Sequence, residues 1–175
     1  MATLVAYFSI TGVTRKVAKR LAEGLNADIH EILTELPYTE EDLNENEKNS
    51  RARIEMRCRG RRPVLKTIVP DISIYDTIFV GFPIWCHLAP TVINSFLEDY
   101  NLRRATVIPF ATSRSSGFGN IMSELYPSVR GGRILIGKRF DAEATVEELV
   151  AFAKERLSDL EGWTYGEVWK PSLHY

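Results

Sequence analysis

A chain of 175 residues, 45% apolar and 26% charged, is long enough for one domain with a substantial core. Its formal net charge of −1 predicts neither nucleic-acid affinity nor an acidic docking surface. Two cysteines, Cys58 and Cys86, make no disulfide framework, and no apolar run approaches the length of a bilayer. No basic-then-apolar leader precedes the first strand, so a reducing cytoplasm is the expected compartment.

The first apolar run, Leu4–Phe8, is nearly continuous and reads as a strand buried on both faces. It runs into Ser9-Ile10-Thr11-Gly12-Val13-Thr14, which opens an amphipathic helix carrying Val13, Val17, Leu21 and Leu25 on one face. A hydroxyl- and glycine-containing turn at a helix N-terminus is a ready anion site. Unpaired N–H groups and the positive end of the helix dipole converge there, and Ser9, Thr11 and Thr14 add side-chain donors. The loop holds no lysine or arginine and lacks the Gly-Lys-Ser/Thr ending of a P-loop. The competing reading is an ordinary helix start capped by a hydroxyl.

The next run, Asp28–Leu33, alternates through Ile29, Glu31 and Leu33 and suits an edge strand. Residues 37–70 then form a long connection, acidic from Glu40 to Glu47 and basic from Arg51 to Lys66. Thr39 and Asp42 are spaced to cap a helix there, although the apolar spacing is poor. Thr77–Phe82 and Thr106–Ala111 return to the continuous apolar pattern. Pro109 cannot donate to a ladder and is therefore expected near the end of the fourth strand. Between these runs, Pro90 with Val92, Ile93, Phe96, Leu97 and Tyr100 predicts a helix with proline in its first turn. A shorter helix is predicted from about Asn120 to Tyr126, stopped by Pro127. Arg133–Gly137 supplies a fifth strand, and Thr145 with Glu148 forms a capping box before a final helix. The tail, 162–175, carries Trp163, Tyr165, Val168 and Trp169 and is expected to pack on the domain or on a partner, which makes a homodimer conceivable.

Strands alternating with helices imply an α/β fold: a three-layer, doubly wound, five-stranded parallel sheet of order 2-1-3-4-5, in one domain over residues 1–175. In such sheets ligands sit outside the carboxyl ends of the strands, where the order reverses. Three loops meet there: Ser9–Thr14, the stretch Gly81-Phe82-Pro83-Ile84-Trp85-Cys86-His87, and the stretch Thr112-Ser113-Arg114-Ser115-Ser116-Gly117-Phe118-Gly119. The first offers a phosphate clamp, the second an indole on a proline-started turn, and the third a glycine- and serine-rich rim. Together they describe a site for a mononucleotide with a large planar head.

At these residues the chain resembles the flavodoxin-like family, specifically small flavodoxins with a Gly-Tyr/Phe-Pro-Ile-Trp motif. Ser9–Thr14 is similar to the family's FMN-phosphate loop, and Gly81-Phe82-Pro83-Ile84-Trp85 to its flavin-stacking loop, preceded by Tyr75-Asp76. Ser116-Gly117-Phe118-Gly119 is similar to the end of its third flavin loop. The resemblance implies FMN as cofactor. It implies that Thr11, Thr14 and the loop amides hold the phosphate, that Trp85 covers one ring face, and that residues 112–119 rim the pyrimidine side. Cys86 stands where small members often carry a second aromatic, and Arg114 and Ser115 stand where small glycines are common. Electron-carrier flavodoxins are also usually strongly acidic, and this chain is not.

The expected function is electron or hydride transfer through FMN, either with a redox partner protein or as an NAD(P)H-dependent reductase of quinone-like acceptors. The alternative is a regulatory or interaction module of the same fold without bound flavin. No catalytic acid, base or nucleophile is assigned, and Cys86 with His87 are too few ligands for a metal. A near-neutral chain with Arg114 by the ring predicts a less reducing flavin than an acidic carrier has. The basic stretch from Arg51 to Lys66 admits a solvated, partly mobile insertion, or docking of an acidic partner or of nicotinamide-cofactor phosphates. Acid precedes it and no recognition motif accompanies it, so neither nucleic acid nor membrane is an expected partner.

Overall fold

Leu4 to Phe8 is apolar at every position because both faces of its strand are covered. Leu4, Ala6 and Phe8 enter one core cluster, while Val5 and Tyr7 enter another on the opposite side of the sheet. This is seen in a computed structural model, which describes residues 2–44 and 46–160. The predicted aromatic tail therefore lies outside the described residues.

The sheet contains β1 (Ala2–Tyr7), β2 (Asp28–Glu31), β3 (Tyr75–Pro83), β4 (Thr106–Thr112), β5 (Arg133–Ile134) and β6 (Lys138–Phe140). Its order is β2-β1-β3-β4-β5, with β6 also on β4, and every pairing is parallel. The predicted order therefore holds, with its fifth position shared by two short strands. Helices α1 (Val13–Leu25) and α5 (Val146–Ser158) contribute Val17, Leu21, Leu149 and Phe152 to the cluster on one face. Helices α3 (Thr91–Glu98) and α4 (Ile121–Leu125) contribute Val92, Ile93, Phe96, Leu97, Ile121 and Leu125 to the other. The capping box is present: the Glu148 amide donates to the Thr145 hydroxyl, and the Thr145 amide to the Glu148 carboxylate.

Pro109 is not at a strand end. It lies mid-way along β4, opposite Val80 of β3. The Leu135 amide donates to the Val107 carbonyl, so Val107, and Pro109 two residues on, turn their backbone groups toward the outer strand. There the outer strand is interrupted between Ile134 and Lys138, and the donor that proline lacks has no acceptor to meet. Gly137 sits in the gap; a Cβ there would come within 2.5 Å of the Pro109 carbonyl oxygen and into the Phe118 ring.

The connection over 37–70 is also more ordered than its composition suggests. Thr39 and Asp42 bond reciprocally at a single 3-10 turn, Glu41–Leu43, and helix α2 follows over Arg51–Arg57. The chain then returns alongside β2, bridging Thr34 to Leu65 in antiparallel sense.

Candidate functional site

The Ser9–Thr14 turn takes its shape from one glycine. Gly12 is the N-cap of α1 at φ +89°, a left-handed conformation that a side chain disfavours, and no side chain caps the helix. The alternative of a hydroxyl-capped start is thus replaced by a bare one. The first intrahelical bond runs from Lys16 N–H to the Gly12 carbonyl at 3.1 Å, so the amides of Val13, Thr14 and Arg15 precede it. No acidic residue occupies the first turn to offset the dipole. The Ser9 hydroxyl oxygen is buried and has no hydrogen-bond partner. Such a group is costly to leave unpaired, and it stands beside open amides at the end of β1. The turn therefore has the donors an anion requires.

After β3 the chain makes a two-residue hairpin. Trp85 and Leu88 exchange both backbone bonds at 2.9 Å, with Cys86 at φ +47° and His87 at φ +65° between them. Both central residues are left-handed, as a type I′ turn demands, yet neither is glycine or asparagine. The hairpin presents Trp85, whose ring meets Phe8 edge-on at 5.6 Å and Tyr38 at 5.4 Å. Cys86 and His87 stay exposed at the tip, while Ile84 packs against the core.

The third loop is held differently. Thr112 is buried, and its hydroxyl lies 2.7 Å from that of Thr14, joining β4 to the first turn of α1. The Ser113 hydroxyl accepts from the Ser115 and Ser116 amides, and Arg139 donates to the Ser113 carbonyl at 2.9 Å. Phe118 lies against Phe82, with ring centroids 6.4 Å apart.

Between the first two loops lies a cavity of about 240 Å³. Ser9, Ile10, Thr11 and Thr14 line one side, and Pro83, Trp85 and Cys86 another. Seven of the expected site residues thus converge, with the Gly12–Val13 helix start beside them. Ser113, Arg114, Ser116, Gly117, Phe118 and Gly119 do not line this cavity. Arg114 is solvent-exposed.

The remaining wall comes from the charged connection: Leu43, Ala52, Arg53 and Met56. Sequence reasoning missed these residues. The signal present was Ala52 with Met56, and Arg51 with Glu55, each at helical i,i+4 spacing inside the basic run. Nor is this stretch a solvated, mobile insertion. Arg51 lies 3.9 Å over the Tyr38 ring, pairs with Glu55 at 2.9 Å and donates to the Leu36 and Pro37 carbonyls. Arg59 donates to the Ala89 carbonyl at 3.0 Å and pairs with Glu124, while Arg62 grips Glu98 with two bonds. Buried Glu55 also accepts from the Tyr38 hydroxyl at 2.6 Å. Burial pushes the Tyr38 phenol far above its ordinary range, and the Glu55 carboxylate pushes it the same way. Tyr38 therefore stays a hydrogen-bond donor, fixing α2 against the aromatic group that holds Trp85.

A flavodoxin family model matches residues 2–156. The chain belongs to the flavodoxin family. A crystal structure of a candidate flavoprotein from Bacteroides eggerthii is 36% identical, covering 89% of this chain and 98% of its own, with a TM-score of 0.84. A second, from Bacteroides uniformis, is 40% identical over 87% of this flavodoxin and 97% of its own chain, with a TM-score of 0.82. A flavoprotein from Lactobacillus acidophilus, solved in complex with FMN, is 21% identical over 79% and 92% of the two chains and shares the fold at a TM-score of 0.67. No curated protein matches this flavodoxin in sequence. Among the described residues no helix is long and apolar enough to cross a membrane.

Proposed function

We propose that this flavodoxin binds FMN and transfers electrons or hydride through it. The observation that carries the reading is the uncapped start of α1, with the unpartnered Ser9 hydroxyl beside it, opening into the cavity that Trp85 walls. The FMN complex of the Lactobacillus acidophilus flavoprotein, which shares this fold, supports it. Ser9, Thr11 and the amides of Val13, Thr14 and Arg15 hold the phosphate by neutral dipoles. Trp85, Pro83, Cys86, Met56 and Ala52 provide the apolar surface for the ring system and exclude water from it. When bound, FMN supplies the one- or two-electron chemistry, so no side chain is needed as acid, base or nucleophile.

The near-neutral chain leans toward a cytoplasmic NAD(P)H-dependent reductase of quinone-like acceptors rather than a carrier for a redox partner protein. A strongly acidic carrier disfavours an anionic reduced flavin; this chain, with Arg53 on the cavity wall, does so less. The deciding experiment is the absorbance spectrum of the purified protein, titration of apoprotein with FMN, then steady-state turnover. Flavin uptake followed by NAD(P)H oxidation with quinone alone marks the reductase. Reduction only through a separate reductase marks the carrier. A colourless protein that takes up no FMN marks a regulatory module and sinks the proposal.

A further inference from the structure

Just past β2 the chain builds a second, short ladder at the edge of the sheet. Thr34 pairs with Leu65 in antiparallel sense; the Glu35 amide donates to the Val64 carbonyl and the Lys66 amide to the Leu33 carbonyl, both at 2.8 Å. This register sets Leu33 opposite Lys66 and Glu35 opposite Val64. Thr34 is buried and Leu65 packs on the core, so the four flanking side chains share the outer face. The same alternation, exposed at 64, 66 and 68 and turned inward at 65, 67 and 69, carries Ile68 onto that face, and the period of β2 carries Ile29 there. Four of the seven large apolar side chains exposed among the described residues therefore lie together: Ile29 at 45%, Leu33 at 38%, Val64 at 65% and Ile68 at 71%. Such a concentration marks a contact surface. Strand addition is blocked, because the Thr67 hydroxyl donates to the Glu31 carbonyl at 2.9 Å and accepts from the Leu33 amide at 3.2 Å. A partner docks on the side chains instead.

The charges on this face select the partner. Leu33 and Val64 occupy one diagonal of the ladder, Glu35 and Lys66 the other. Neither charged side chain is in an ion pair with a described residue. An acidic partner would meet Glu35 and a basic one Lys66, whereas a second copy of this chain satisfies both. A two-fold axis laid along the Leu33–Val64 diagonal sets each of these two residues on its own counterpart. The same rotation sets Glu35 of each copy over Lys66 of the other. Two residues along a strand and the gap to its neighbour are similar steps, about 7 and 5 Å, so the strands of the two copies cross near a right angle, as in orthogonally packed sheets. The geometry points to a homodimer through this outer face, with Leu33 and Val64 on the axis and two reciprocal Glu35–Lys66 pairs beside it. So few apolar side chains place it among weak, concentration-dependent associations.

The test is sedimentation of the full chain over a concentration series, with folding of each variant checked by thermal melting. Wild type should rise with concentration from the monomer mass toward twice that mass. Val64→Glu, at a largely exposed position, should stay monomeric. Glu35→Lys and Lys66→Glu each set like charges face to face and should weaken self-association by about tenfold or more. Mixed in equal amounts, these two single variants should associate again, because each supplies the charge that the other has lost at both pairs. The double exchange Glu35→Lys, Lys66→Glu should associate as wild type does, and it carries the test should Val64→Glu not fold. A wild-type chain that is monomeric at every concentration would overturn the proposal. So would a dimer indifferent to these changes, a mixture of the single variants that stays monomeric, or a dimer lost only when residues 161–175 are removed.

Discussion

The hydroxyls of Thr14 and Thr112 lie 2.7 Å apart in a buried bond, tying the first turn of α1 to the end of β4. The bond anchors the Ser9–Thr14 turn to the strand that carries the third loop. Thr112→Val keeps the shape and strands the Thr14 hydroxyl without a partner, which costs about 1–3 kcal/mol. The double change Thr14→Val, Thr112→Val removes both polar atoms and should recover most of that loss. Urea midpoints of the single and double variants measure the difference. A double variant as unstable as the sum of the singles would show that the bond is not the point of coupling.

The Trp85 hairpin stores strain that its sequence does not relieve. Cys86 and His87 both hold positive φ, at about 1–2 kcal/mol for each side chain that resists it. Replacing the pair with Asn-Gly, the residues a type I′ turn favours, should raise stability by about 1–2 kcal/mol while leaving Trp85 in place. Thermal melting of apoprotein reads the gain. An unchanged or lower midpoint would mean that the thiol or the imidazole contributes more than the turn costs.

The hairpin strain was not open to local pattern reading, and the α2 wall showed only in the i,i+4 spacing of Ala52 with Met56 and of Arg51 with Glu55. The strand order was open to it, because Leu4–Phe8 and its counterparts are apolar on both faces and the helices between them carry caps and proline stops in the right places. The turn at Ser9–Thr14 and Trp85 were legible for the same reason: residue type and position along the strand define them. Cys86 and His87 carry no turn signature, so their backbone conformation was invisible. The connection was misread because its arginines act at long range. Arg59 bonds to Ala89, 30 residues away, and Arg62 to Glu98, 36 residues away, so a solvated charge run and a stitched cover have the same local sequence. Pro109 was misplaced because its tolerance comes from a gap in a neighbouring strand, not from its own.

The unpartnered Ser9 hydroxyl gives a prediction with opposite signs for stability and binding. Ser9→Ala deletes a buried polar atom that has nothing to bond in the protein alone, so the apoprotein should hold or raise its melting temperature. If Ser9 donates to the FMN phosphate as proposed, the same change should weaken FMN binding on the order of tenfold or more. Thermal melts of apoprotein and an FMN titration separate the two. Lower apoprotein stability with unchanged FMN affinity would make Ser9 a structural residue.

Glu98 links the connection to the end of α3 and to Ser128, and its titration should show in acid. It accepts two bonds from Arg62, at 2.8 and 2.9 Å, and one from the Ser128 hydroxyl at 2.7 Å. The Arg62 guanidinium holds the carboxyl below its usual range, and partial burial opposes this without cancelling it. The folded value is therefore below the unfolded one, near the ordinary Glu value of about 4.3. The stabilisation is complete above that value and is lost as pH falls through the lowered folded one. Glu98→Gln should thus be less stable than wild type at about pH 7, with the gap narrowing by about pH 3. Arg62 is partly solvent-exposed, so the gap at neutral pH should also shrink in high salt. Urea midpoints at the two pH values test this. Parallel curves for the two proteins would show that the Arg62 clamp does not couple the connection's stability to the charge on Glu98.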